Sequence, residues 1–211
     1  MEHDWVEWHR RYDDPTSTLS ARLAVVVDRL RAAFDAAPPG PIRVVSLCAG
    51  EARDVCGAVA DHARRVDVEA WLVEADPMLA TRAAERAAAI GLAGRVAVGD
   101  AGSLATFADA PRADVLLLCG IFGNVAEDDI RTTIDATPML CASPATVIWT
   151  RHRRHPDLTP AIRAWFTDAG CEPVAFVSPG PNEFAVGVER HRGPKLVRAH
   201  DGRLFRFRAP A

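Results

Sequence analysis

The stretch VVSLCAGEARDV, residues 44–55, sets an apolar run against a single glycine, Gly50, and then the charged string Glu51, Arg53 and Asp54. A run apolar on consecutive residues leaves no face for water, which marks a strand covered on both sides in a parallel sheet. Glycine permits a positive φ or a close backbone approach that a side chain would block. A helix beginning at the charges aims its first free amides at whatever lies above the sheet edge. The turn therefore either cradles a ligand or closes a tight connection, and the neighbouring strands bear on which.

Outward from this stretch the same alternation recurs. Strand-like IRVVSLC, VEAWLVEA, RVAVGD, ADVLLLCG and ATVIWTR alternate with helical DVCGAVADHARR, PMLATRAAERAAAIG, SLATFADA, DDIRTTIDATPMLC and LTPAIRAWFTDAG, and EPVAFVS and FAVGVER close the series. Only PGPNE joins the last two, too short for a crossover helix, so they pair antiparallel. The expected fold is α/β: a doubly wound, mostly parallel seven-stranded sheet with a C-terminal antiparallel hairpin. Residues 1–37 carry two helical patterns, the second with Leu19, Leu23, Val26, Leu30 and Phe34 on one face, and PPGP at 38–41 stops it. The organisation expected is a helical lid over 1–37, a ligand-binding domain over 38–190, and a basic tail over 191–211 that turns a second hairpin at Asp201-Gly202.

With 211 residues, 49% hydrophobic and 25% charged, the chain is large enough to bury roughly 70% of the surface its unfolded form exposes. A net charge of −3 and a pI near 6.2 argue against a protein whose main task is gripping nucleic acid or an anionic membrane. Five cysteines without CxxC spacing indicate neither a disulfide framework nor a metal site, and a reducing cytoplasm fits. The N-terminal stretch has acids and no apolar core, and no segment approaches the ~18 apolar residues of a spanning helix, so neither export nor a membrane is expected.

The ends of the second and third strands carry the next signal. WLVEADPM places Glu74 at a strand tip, where two oxygens can accept both hydroxyls of a ribose. RVAVGDA ends on Asp100, followed by Ala101 and Gly102, small enough to admit a flat ring. Glycine, acid and acid at three successive strand ends form an ordered series.

That series resembles the class I S-adenosylmethionine-dependent methyltransferases, from about Val44 to Glu189. The resemblance implies S-adenosyl-L-methionine as cofactor, with Cys48, Ala49 and Gly50 against its methionine part, Glu74 and Ala75 at the ribose, and Asp100 and Ala101 at the adenine. It places Pro77 and Met78 against the ring, and Cys119 and Gly120, both small, beside the cofactor. The family's glycine signature, an acid and three glycines, falls here on Ser46, Cys48, Gly50 and Ala52, so only the central glycine is kept. Without the customary acid, the α-ammonium falls to Glu51 or Asp54, and the carboxylate to Arg53, whose guanidinium can pair bidentately.

For the acceptor, the resemblance points to the loop IFGNVAEDD, where Asn124 either offers its amide or caps the next helix and Phe122 is either wall or core. TRHRRHPD brings Arg151 for an anionic acceptor and His152 as a general base, with His9 the other candidate base. Tyr12 in WHRRYDD is either a cover for the site or an anchor of the leader. The function implied is methyl transfer to oxygen, nitrogen or carbon of a small molecule. A nucleic-acid or protein methyltransferase using the basic rim, and a non-catalytic binder of the cofactor, are the alternatives. An NAD-linked dehydrogenase is the weakest, since GxGxxG is absent. No membrane partner is expected, nucleic acid is disfavoured, and a homodimer is left open.

Overall fold

A computed structural model describes residues 5–194, 196 and 202–208. Its strands are β1 (Ile42–Leu47), β2 (Val68–Glu74), β3 (Ala93–Val98), β4 (Ala113–Leu118), β5 (Cys141–His152), β6 (Cys171–Val177) and β7 (Phe184–His191). They form one sheet in the order β3-β2-β1-β4-β5-β7-β6. All pairs from β3 to β5 are parallel; β7 runs antiparallel to β6, as the short PGPNE linker requires, and antiparallel to β5 as well.

The apolar runs are buried on both faces because successive side chains feed two different cores. Val45 and Leu47 of β1, Leu116 and Leu118 of β4, and Trp149 of β5 point into one. Val44, Val115, Leu117 and Ile148, each offset by one residue, point into the other. The second core is covered by α2 (Thr18–Ala36), α3 (Arg53–Val59) and α4 (Pro77–Ala89), through Leu30, Phe34, Val55 and Ala83. The first is covered by α5 (Glu127–Asp135) and α7 (Thr159–Asp168), through Ile130, Ile134, Ile162 and Phe166. β1 sends its connections to β2 on one side while β4 lies on the other, so the switch point opens at the end of the 44–55 stretch.

Three helical patterns end sooner than their periodicity suggests. DVCGAVADHARR is helical only to Val59, after which His62 and Arg65 close successive turns. DDIRTTIDATPMLC divides at Ala136 into α5 and a short α6 (Thr137–Leu140), because Pro138 has no amide to give the helix before it. SLATFADA is a single 3₁₀ turn, Leu104–Phe107, and the Leu104 amide donates to Gly202 of the tail rather than along the chain.

The expected turn at Asp201 lies outside the described residues. Gly202–Arg208 pairs with loops of the main sheet: the Leu204 amide donates to the Gly102 carbonyl at 2.7 Å, and the Arg208 amide to the Asn124 carbonyl at 2.8 Å. At the other end of the chain a short helix, α1 (Trp5–His9), runs into a 3₁₀ turn, Arg10–Asp13, while α2 itself packs into the core.

Candidate functional site

The turn after β1 is built from three left-handed residues, Cys48, Gly50 and Ala52, with φ of 58°, 55° and 54°. Two of them are not glycine, and each such residue costs of order 1 kcal/mol or more, which the surrounding structure must hold. Glu74 provides part of that hold: its Oε2 accepts the Gly50 amide at 2.8 Å and its Oε1 accepts the Asp76 amide at 2.9 Å. One carboxylate thus ties the turns after β1 and β2 together. It offers about four acceptor sites, so roughly two remain for a ligand.

These turns border a cavity with about 180 Å³ of space for water centres. A single water needs only ~10–15 Å³ by this measure, so the space suits a ligand rather than a trapped water. Of the cofactor positions expected from sequence, Cys48, Ala49, Gly50, Arg53, Glu74, Ala75, Asp100, Ala101, Cys119 and Gly120 all line it. Pro77 and Met78 do not. Pro77 opens α4, Met78 is 54% exposed, and Asp76 and Leu79 line the cavity in their place. The reason is local: Asp76 caps α4 by accepting the Met78 and Leu79 amides, and this turns the helix so that Leu79 faces inward.

Glu51 and Arg53 are engaged within the protein. The buried Glu51 carboxylate accepts from Arg53 at 2.6 Å and Arg82 at 2.9 Å. Burial pushes its carboxyl up, but the bonds from Arg82 and Arg53 outweigh this and hold it below its ordinary value. Arg53 also pairs with Asp13 at 2.8 Å and lies 5.6 Å over the Tyr12 ring, so it straps the leader to the turn. Asp54 differs: it lines the cavity and accepts backbone amides alone, its own and that of Val55, the latter at 2.8 Å. Burial pushes its carboxyl above the ordinary range, against that amide and the fields of Arg22 and His9. Of the two acids, Asp54 is the one suited to meet a cation.

Arg22, on α2, escaped the sequence reading. It lines the cavity, and its guanidinium donates to the Tyr12 hydroxyl at 2.9 Å and lies 6.0 Å over Trp8. A signal did exist: Arg22 falls three residues after Leu19 and four before Val26, on the buried stripe of α2, where a charge needs a reason. His9 lies directly over the glycine turn, since a Cβ on Gly50 would come within 2.3 Å of its Nε2.

At the far end, Asp100 accepts the Gly102 amide at 2.8 Å and pairs with Arg203 of the tail. Phe207, 40% exposed, joins the lining and packs edge-on against Phe205 at 5.5 Å. No feature of the sequence announces where this tail docks.

A second cavity, of about 290 Å³, adjoins the first through Trp8, Arg22 and Gly120. Asn124, Arg151 and His152 line it. Asn124 does not cap α5, whose cap position is Ala126; its amide instead donates to Gly120 at 2.7 Å and holds the loop closed. Phe122 belongs to the core, fully buried against Trp149 and Phe166, because the apolar side of the loop faces the sheet. The two histidines lie apart: His9 at the first cavity, His152 at the second. Burial, with Arg151 and Arg154, pushes the His152 imidazole below its ordinary range, and its Nδ1 is buried without a partner. Burial pushes the Cys48 and Cys119 thiols up, so both are neutral walls rather than nucleophiles. Among the described residues no cluster of His, Cys, Asp or Glu could hold a metal, and no helix is long and apolar enough to cross a membrane.

No protein-family model matches the sequence, and no curated protein does. Solved structures match the fold. An O-methyltransferase family protein from Burkholderia thailandensis is 16% identical at a TM-score of 0.61, over 89% of this chain and 69% of that one. The CurJ carbon methyltransferase is 13% identical at 0.66, over 90% and 59%. An S-adenosylmethionine-dependent methyltransferase from Clostridium acetobutylicum is 10% identical at 0.64, over 90% and 100%. The architecture is thus the Rossmann-like one of the class I methyltransferases.

Proposed function

We propose that the chain is a methyltransferase that uses S-adenosyl-L-methionine and acts on a small molecule. The observation that carries this reading is Glu74, a carboxylate at the carboxyl end of β2 that braces the glycine turn and keeps lone pairs facing the cavity. The residues present fit the cofactor. Glu74 suits the ribose hydroxyls, Asp100 the adenine amino group, Asp54 the α-ammonium, and Arg22 the carboxylate.

When bound, S-adenosylmethionine supplies an electrophilic methyl group. The protein has then to orient the acceptor and exclude water, and such positioning can supply about 7–11 kcal/mol. Trp8, His9 and Tyr12 from the leader and Phe207 from the tail cover the cavity and serve the exclusion. Where the accepting atom carries a proton, His152, in the lining of the second cavity, is the candidate base.

Two features favour a small acceptor over nucleic acid. The acceptor space is a cavity of about 290 Å³, a volume for a small ligand. Two arginines of the expected basic rim are paired, Arg203 with Asp100 and Arg192 with Glu172. All five cysteines are free, which supports a reducing, cytoplasmic setting.

Calorimetric titration with S-adenosylhomocysteine, S-adenosylmethionine and NAD tests the reading. The first two bind the wild type and NAD does not, and Glu74→Ala weakens S-adenosylhomocysteine at least about tenfold. Binding of NAD alone, or undiminished affinity in the variant, overturns the assignment. A labelled-methyl screen against small metabolites then identifies the acceptor.

A further inference from the structure

The two cavities differ in charge. The first carries Glu51, Asp54, Glu74, Asp76 and Asp100 against Arg22 and Arg53. The second carries Arg11, Arg22, Arg151 and Arg154, with Glu183 the single acid in its lining. None of these four arginines makes an ion pair with a carboxylate of the described residues. The nearby Asp157 is already committed to Arg153, at 2.9 Å.

Arg151 is the centre of this imbalance. It lies on β5 next to His152, is 7% exposed, and has an Nε that is buried without a partner. One of its other nitrogens donates to the Phe122 carbonyl, which fixes the guanidinium in place. A buried cation without a counter-ion costs several kcal/mol, so a protein keeps one where an anion arrives to complete it. The guanidinium fork matches carboxylate and phosphate oxygens in particular. Neutral groups that also accept or donate, Asn124 and Thr150, share the same lining.

We propose that the second cavity is a binding subsite for a small anion, a carboxylate or a phosphate group, seated on Arg151. Calling this anion the methyl acceptor rests on the proposed methyl transfer; the anion subsite itself rests only on the charge and burial described. The cofactor, a net cation in its sulfonium form, belongs to the acidic cavity. The anionic acceptor belongs to the basic one, and the shared wall of Gly120, Trp8 and Arg22 is where they meet.

The test is a tryptophan-fluorescence titration with sodium phosphate and with sodium benzoate, using sodium chloride at matched ionic strength as control. The wild type gives a saturable response to one or both probes and none to chloride, and Arg151→Gln weakens it at least about tenfold. A response shared by chloride, no saturation with either probe, or unchanged affinity in Arg151→Gln overturns the proposal. Circular dichroism checks that the variant is folded. If it is not, the double variant of the exposed pair, Arg11→Ser with Arg154→Ser, carries the test: weakened phosphate or benzoate binding supports the subsite, and wild-type affinity overturns it. S-adenosylhomocysteine binding is measured separately. Its absence, with the anion response intact, removes the methyl-transfer reading and leaves the subsite standing.

Discussion

Asp54 and Glu51 are both acids beside the glycine turn, and their surroundings give them opposite roles. Arg53 and Arg82 neutralise Glu51, whereas Asp54 faces the cavity with a carboxyl that burial pushes up. A cationic ligand would relieve that, so Asp54→Asn is expected to weaken S-adenosylhomocysteine binding about tenfold by calorimetry, with little change in thermal stability. The depressed imidazole of His152 gives a pH prediction. As a base it is neutral from neutral pH down to somewhat below 6.5, so methyl transfer to a protonated acceptor declines only under more acidic conditions, and His152→Ala removes that limb while leaving S-adenosylhomocysteine affinity intact. Away from the site, Glu189 is 2% exposed, and burial raises its carboxyl to about 7, with the Trp149 indole and Arg163 acting the other way. Because the folded chain holds this proton more tightly than the unfolded one, stability is greatest below about pH 4.5 on this account and falls as pH rises through 7. The loss is on the order of 3 kcal/mol, and Glu189→Gln should abolish that part of the pH dependence in urea unfolding.

At the level of elements, the strands and their pairing were legible because burial on both faces leaves an unbroken apolar signature. The glycine turn was legible for a related reason: Gly50 is the one residue of its turn whose conformation the sequence advertises, whereas Cys48 and Ala52 adopt the same left-handed φ with no such sign. What periodicity missed were helix lengths, which Pro138 sets in one case and contacts distant in sequence in others. Arg64 shows how. It donates to the carbonyls of Phe34, Ala37, Pro38 and Gly40, taking up the end of α2 and the PPGP turn, and pairs with Asp67 at 2.9 Å. Its removal strands carbonyls at a helix end, so Arg64→Ala should cost about 2 kcal/mol in chemical denaturation. Gly50→Ala is the corresponding test at the turn. The added methyl would strike His9 and strain a φ of 55°, which should lower both stability and S-adenosylhomocysteine affinity.

Across the whole molecule, the site is assembled from parts that lie far apart in the chain, which explains the pattern of what could be read. Glu74 and Asp100 were legible since the first ends β2 and the second follows two residues after β3. Arg22 left a trace, a charge on an apolar stripe, whereas Phe207 left none, because nothing local dictates that Gly202–Arg208 should cross the loops after β3 and β4. Phe122, left open between wall and core, and Met78, expected against the ring, were hard to read for the opposite reason: both are apolar residues near the ligand edge, and only packing decides whether such a residue faces the core, the solvent or the cavity. If the tail serves the nucleoside end, Phe207→Ala should weaken S-adenosylhomocysteine severalfold while leaving phosphate binding unchanged, a split that calorimetry with both probes can resolve.

The docking of residues 202–208 also couples the interior to the cavity. The sheet is complete at His191, yet Leu204 and Phe205, each 1% exposed, fill the first core, and Phe207 a few residues on lines the cavity. One short segment thus serves as plug and as wall, so a chain cut before Gly202 is expected to lose both at once: a looser interior in thermal unfolding and a breached lining.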